Sequence, residues 1–153
     1  MLYCNLYHET RKKKPMIIGV VKEIHYGERR VAMAPSVVKQ FIKTGHTVLV
    51  ENGAGVIANF TDEQYKDSGA EILKKAENVW ERAEVLLKIR PPEGNIETGK
   101  HEVDFMRKDS CLICMLSPGR NPELLERLAK TEGTAIAVDA IPRISRAQSM
   151  DVL

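Results

Sequence analysis

Residues able to do chemistry fall in a few short stretches of this chain. The richest is the polar cluster Ser145, Arg146, Gln148 and Asp151, with Arg143 just ahead of it. Arg143 presents five fixed donors, and Gln148 both donates and accepts, a set suited to holding an amide-bearing ring. The same residues also read as an ordinary helix start, capped by Ser145 with the rest solvated. Composition alone favours that plainer reading.

Arg30 and Lys88 form the second candidate. Lys88 interrupts an apolar run, Val85-Leu86-Leu87-Lys88-Ile89, and Arg90 follows it. A buried lysine needs a charged or carbonyl partner. With Arg30 it could grip a carboxylate or an amide oxygen. Alternatively, the two are tied into structural ion pairs with Glu23 or Glu28, or Lys88 sits at a solvated strand end. The residues alone lean toward a structural role.

Other motifs carry less. Gly53-Ala54-Gly55-Val56-Ile57-Ala58 has the spacing of a dinucleotide loop. In that fingerprint the helix opens within the glycine run, so that its amides hold the pyrophosphate. Here the helix cap is Thr61, beyond the motif, which predicts a tight structural loop. Cys111-Leu-Ile-Cys114 lies inside an apolar strand, where residues three apart point to opposite faces. It reads as two small core residues. His8, His25, His46 and His101 stand at no metal-ligand spacing and are expected at the surface. No metal site and no catalytic acid or base is assigned.

These residues need elements to position them. Apolar runs predict strands at 16–21, 46–51, 70–73, 84–89, 111–116 and 134–138. Between them, Val37, Val38, Phe41 and Ile42 make the stripe of a helix capped by Ser36, stopped at Gly45. Thr61-Asp-Glu-Gln64 is a capping box. Residues 75–82 predict a helix with Trp80 on its buried side, 103–108 a helical turn, and Asn121-Pro122 a helix start. Apolar strands alternating with amphipathic helices define the fold class: α/β, doubly wound, a mostly parallel sheet with helices on both faces (Rossmann/flavodoxin-like), incomplete at the C-terminus. Ligands of such sheets bind beyond the carboxyl ends of the strands.

The chain has 153 residues and a net charge of +2. Much of the basic excess is in residues 1–15, a basic tail or linker holding Arg11, Lys12, Lys13 and Lys14. The near-neutral remainder, 16–153, argues against a nucleic-acid partner. No apolar run reaches the roughly 20 residues of a membrane span. The odd cysteine count favours a reducing compartment.

The stretch Pro142-Arg-Ile-Ser-Arg-Ala-Gln-Ser-Met-Asp151 resembles the signature loop of the nucleotide-binding alpha subunit of proton-translocating NAD(P) transhydrogenase. Ile17–Glu23, Gly27–Pro35, Val50–Gly55, Leu87–Pro92 and Asn121–Leu124 are similar to that family's motifs and follow in its order. The earlier motifs are shared with alanine dehydrogenase. The resemblance implies hydride transfer from NADH to NADP+ coupled to proton translocation. It also implies NAD(H) held by this subunit and NADP(H) by a partner subunit or domain. Arg143, Gln148 and Asp151 match the family's functional Arg, Gln and Asp. Arg30 and Lys88 match substrate-carboxylate positions of alanine dehydrogenase, and here they are expected to support the loop. Ser117-Pro118-Gly119 stands where those enzymes carry a substrate-side histidine.

The resemblance further implies a homodimer and association with NADP-binding and membrane-spanning partners, leaving this chain peripheral to the membrane. The chain stops just past its most specific motif, with the family's NAD-binding domain downstream of that point. The expectation is therefore a partial N-terminal domain that is inactive alone. The alternatives are an alanine-dehydrogenase-like fragment and a non-catalytic module for dimerisation or subunit binding.

Overall fold

The computed structural model describes residues 14–96 and 98–141. Six parallel strands form one sheet: β1 (Ile17–Val20), β2 (Thr47–Glu51), β3 (Glu71–Leu73), β4 (Val85–Leu87), β5 (Cys111–Cys114) and β6 (Thr134–Ala137). Their order is β3-β2-β1-β4-β5-β6. Every ladder is parallel, with Ile18 beside both Val48 and Val85. This order separates the two doubly wound arrangements open to the sequence. It is the Rossmann one, with its switch point between β1 and β4.

Helices cover both faces. Helix α1 (Pro35–Lys43) and helix α2 (Asp62–Asp67) are on one side. There Val38 and Tyr65 join Ile18, Val20, Val48 and Val50 in one apolar cluster. Helix α3 (Ala76–Arg82) and helix α4 (Pro122–Ala129) are on the other side. There Val79, Trp80 and Leu128 pack with Leu49, Leu86, Leu112 and Cys114. On the α1/α2 face, the β5–β6 end is barely covered. Ile113 is half-buried and Ile136 is 44% exposed.

The expected helices are present with small corrections. Helix α1 is not capped by Ser36: Ala34 is the cap residue, without a side-chain bond, and Pro35 fills the first turn. The fixed φ of proline and its missing N–H suit that place. Val37, placed on the stripe, is 37% exposed, while Pro35 and Val38 are buried. The Thr61–Gln64 capping box is formed on both sides. Gly45 ends α1 with a φ of 88°. The turn expected over 103–108 is a 3-10 turn at Glu102–Phe105, where His101 accepts from the Val103 amide.

Gly19, at the centre of β1, is set by close approach. A Cβ there would lie 2.7 Å from Ala83 Cβ and 2.8 Å from Val79 Cγ1. Helix α3 thus packs directly on the backbone of β1. Gly19→Ala is expected to destabilise the fold by about 1–3 kcal/mol through overpacking. Urea unfolding reads this as a lower midpoint, and an unchanged midpoint would show that α3 can move away.

Candidate functional site at the carboxyl edge

The carboxyl edge of β1 and β4 is built around a buried lysine. Lys88 immediately follows β4 and is 4% exposed. Its Nζ lies 2.8 Å from Glu102 Oε1 and 3.5 Å from Glu23 Oε2. Glu23, just past β1, also accepts from the Ile89 amide at 2.6 Å and the Arg90 amide at 3.2 Å. Glu102 reaches the Glu93 amide with its second oxygen. One ammonium thereby joins β1, β4 and the long β4–β5 connection. Burial pushes the Glu102 carboxyl up, against the pull of Lys88.

A second knot lies beside the first. Glu28, 8% exposed, accepts from Arg30 Nε and Nη2, both at 2.8 Å, and from Arg90 Nε at 2.7 Å. The amides of Arg29 and Arg30 point at the same carboxylate. The Arg30 side chain, above all, holds the Glu28 carboxyl far below the usual carboxylate range, against burial. Arg30 and Lys88 therefore answer to different carboxylates of their own chain. Each sits in a structural ion pair of the kind that the sequence left open.

The end of β6 is clamped to the end of β5. Asp139 accepts from the Leu116 and Ser117 amides, both at 2.8 Å, and from the Ser117 hydroxyl at 3.1 Å. Asn121 Nδ2 donates to the Leu116 and Ser117 carbonyls. Ser117 has a φ of 47°, in the left-handed region, which costs a non-glycine residue about 1–2 kcal/mol. The clamp offsets that strain. Burial pushes the Asp139 carboxyl up, but the two amides outweigh it, and the net direction is down. Asp139 directly precedes the stretch that carries Arg143, Gln148 and Asp151, and those three residues lie outside the described ones.

Beyond β4 and β5 opens a cleft of about 840 Å³, with Arg90, Arg120 and Ser117 on its walls. Two histidines on those walls are tied locally. His25 pairs with Glu93, and His101 Nδ1 accepts a backbone N–H. His46 is 8% exposed and accepts from the Met16 amide. These histidines serve the backbone and loops rather than lying isolated on the surface, a role their local sequence did not disclose. The cysteines behave as expected. Cys114 is buried, Cys111 only partly, and burial raises the Cys114 thiol to about 12. A thiol kept protonated is a poor nucleophile.

The glycine motif is structural. The Gly53 amide donates to Asp62 Oδ1 at 2.9 Å, so a carboxylate of the chain already holds that donor. A Cβ on Gly55 would meet Tyr65 at 2.7 Å and the Phe60 carbonyl at 2.9 Å. Two functional groups escaped the sequence reading, Glu102 and Asp139. Glu102 reaches Lys88 only through the fold of the β4–β5 connection. Asp139 had a signal, an acid at the end of a parallel strand. Among the described residues, no group of three or more His, Cys, Asp or Glu could hold a metal ion, and no helix is long and apolar enough to cross a membrane.

Sheet order and site together define a doubly wound, Rossmann-like domain with its buried charged groups at the carboxyl edge. Residues 19–153 match the family described as alanine dehydrogenase/PNT, N-terminal domain, and the chain belongs to that family. It is 42% identical over 90% of its length to "NAD(P) transhydrogenase subunit alpha" of Cereibacter sphaeroides, 25% of which it spans. The crystal structure of transhydrogenase from Sinorhizobium meliloti superposes with a TM-score of 0.80 at 34% identity, over 90% of this chain and 39% of that one. An L-alanine dehydrogenase structure gives 0.72 at 37% identity, over 80% and 32% respectively. The chain thus spans a quarter to two fifths of these proteins.

The Glu28 knot generates a pH prediction. Its folded carboxyl ionises below the unfolded value of about 4.3, so its stabilisation is complete above that value and is lost as pH falls further. Glu28→Gln is expected to lose about 2 kcal/mol at neutral pH. The gap to the parent should shrink steadily below about pH 4. Urea titrations across that range measure it, and a pH-independent gap would contradict the assignment.

Proposed function

We propose that this chain is the N-terminal part of an NAD(P) transhydrogenase alpha subunit. The whole enzyme would transfer hydride from NADH to NADP+ and couple it to proton translocation. The observation that carries the reading is the 142–151 sequence motif, in a chain 42% identical to a transhydrogenase alpha subunit. Arg143, Gln148 and Asp151 hold NAD(H), while NADP(H) sits on a partner subunit or domain.

The bound nucleotide supplies the hydride. What this chain supplies is orientation and exclusion of water, since two rings must approach to about 3–3.5 Å. Asp139 ties the end of β6 to the end of β5, three residues before the motif begins in sequence, and the Lys88 and Glu28 knots stiffen the same carboxyl edge. The cleft beyond β4 and β5 has the size and donors to border such a ligand. In this reading the 153 residues, which span a quarter to two fifths of the relatives, are inactive by themselves. A homodimer, with membrane-spanning partners that make this chain peripheral, belongs to the same proposal.

The alanine-dehydrogenase alternative is weakened at Ser117. Its hydroxyl is spent on Asp139, and no acid/base group occupies that position.

The test is a chimera: residues 16–153 grafted in place of the matching segment of the Cereibacter sphaeroides alpha subunit, assembled with its partners. NADH-dependent reduction of NADP+ is expected, with Gln148→Ala lowering kcat by about tenfold to a hundredfold. Alanine-dependent reduction of NAD+ would favour the dehydrogenase alternative. A folded, assembled and silent chimera would favour a non-catalytic module.

A further inference from the structure

A second cavity, of about 320 Å³, lies on the α3 side of the sheet, beside the carboxyl ends of β1 and β2. Neither Arg30 nor Lys88 lines it. Ile24, Trp80 and Phe105 give it apolar walls, and Lys22, Lys75 and Lys100 contribute three exposed ammonium groups. None of these three lysines is ion-paired among the described residues. Lys100 Nζ instead sits 5.2 Å from the centre of the Phe105 ring.

Trp80 adds an independent signal. It is wholly buried, and its indole Nε1–H has no hydrogen-bond partner among the described residues. Buried donors in folded proteins are nearly always satisfied, so an orphan calls for an explanation. Trp80 lines this cavity, which therefore gathers one buried N–H without an acceptor and three ammonium groups without a carboxylate partner among the described residues. An anionic acceptor is what suits such a set.

We propose that this cavity binds a small monocarboxylate with an aromatic or branched apolar body, its carboxylate facing the lysines and the Trp80 N–H. The lining selects against polyanions. Glu51, Glu77 and Glu102 stand among the same walls and offset the lysines, so a phosphate-rich ligand would meet carboxylates as well as ammoniums. Burial raises the Glu51 carboxyl, whose Oε2 accepts from the Lys22 amide at 2.8 Å. Ile24 and Phe105 supply apolar contact that inorganic anions cannot use. The proposal does not depend on the transhydrogenase reading.

Trp80 is the chain's one tryptophan, so its indole N–H gives a single resonance in a proton–nitrogen correlation spectrum of the labelled full chain. Sodium benzoate and 3-methylbutanoate are the probes, with benzamide as the neutral counterpart of benzoate. A saturable shift of the indole resonance with at least one carboxylate, and little with benzamide, is expected. Lys75→Ala and Lys100→Ala should each raise the half-saturating concentration by about three- to fivefold, the scale of a partly solvated ion pair. Lys39→Ala, on the far face of the sheet, should leave it unchanged. An indole resonance that neither carboxylate moves would overturn the proposal. So would equal shifts with benzamide, or lysine variants that match the parent.

Discussion

A single buried ammonium sets the terms for the functional edge of this domain. Lys88 is removed from water and stands between the carboxylates of Glu102 and Glu23. Taking such charges out of solvent costs several kcal/mol per ion, and only close pairing with further hydrogen bonds offsets it. The further bonds are present, from the amides of Ile89, Arg90 and Glu93. The outcome is connectivity more than stability. The triad ties the loop after β1, the end of β4 and the long connection to β5 into one arrangement. A hydrophobic trio could have filled the space without fixing those three backbone segments to one another.

The same device recurs twice along the edge. Glu28 gathers Arg30 and Arg90, and Asp139 gathers the amides of Leu116 and Ser117. In each, a carboxylate in a loop or turn at the carboxyl edge holds neighbouring loop donors. A parallel sheet presents its carboxyl ends side by side, so such links brace adjacent loops without crossing the core. The carboxyl edge is thus pre-organised by charge.

Much of this was legible in the residues. All six strands stood out as apolar runs, most clearly the central β1 and β2, which are buried on both faces. The Thr61–Gln64 box and the Gly45 stop are local devices with local signals. The buried lysine announced that it needed partners, and Glu23 was among those named. Glu102 was not, because its contact with Lys88 crosses a connection whose path only packing decides. The strand order, and with it the choice between two doubly wound arrangements, was equally hidden, since it depends on which strand crosses to the other side of β1. The cap at Ala34 was misread because Ser36 is the better capping residue by type, while Pro35 claims the first turn by its backbone. Val37 shows a stripe rotated slightly from the one that periodicity suggested. The roles of His46 and His25 were hidden for the same reason as Glu102: their partners, the Met16 amide and Glu93, are remote in sequence.

The Lys88 triad holds this edge as a mutually dependent unit, and a double-mutant cycle measures that directly. Lys88→Met, Glu102→Leu and the double variant would be compared with the parent by urea unfolding at neutral pH. Removing one member of a buried pair is expected to cost about 3–5 kcal/mol. The double variant should lose clearly less than the sum of the single losses, by more than about 2 kcal/mol. Additive losses would mean that the two side chains act independently and that something else holds the edge together.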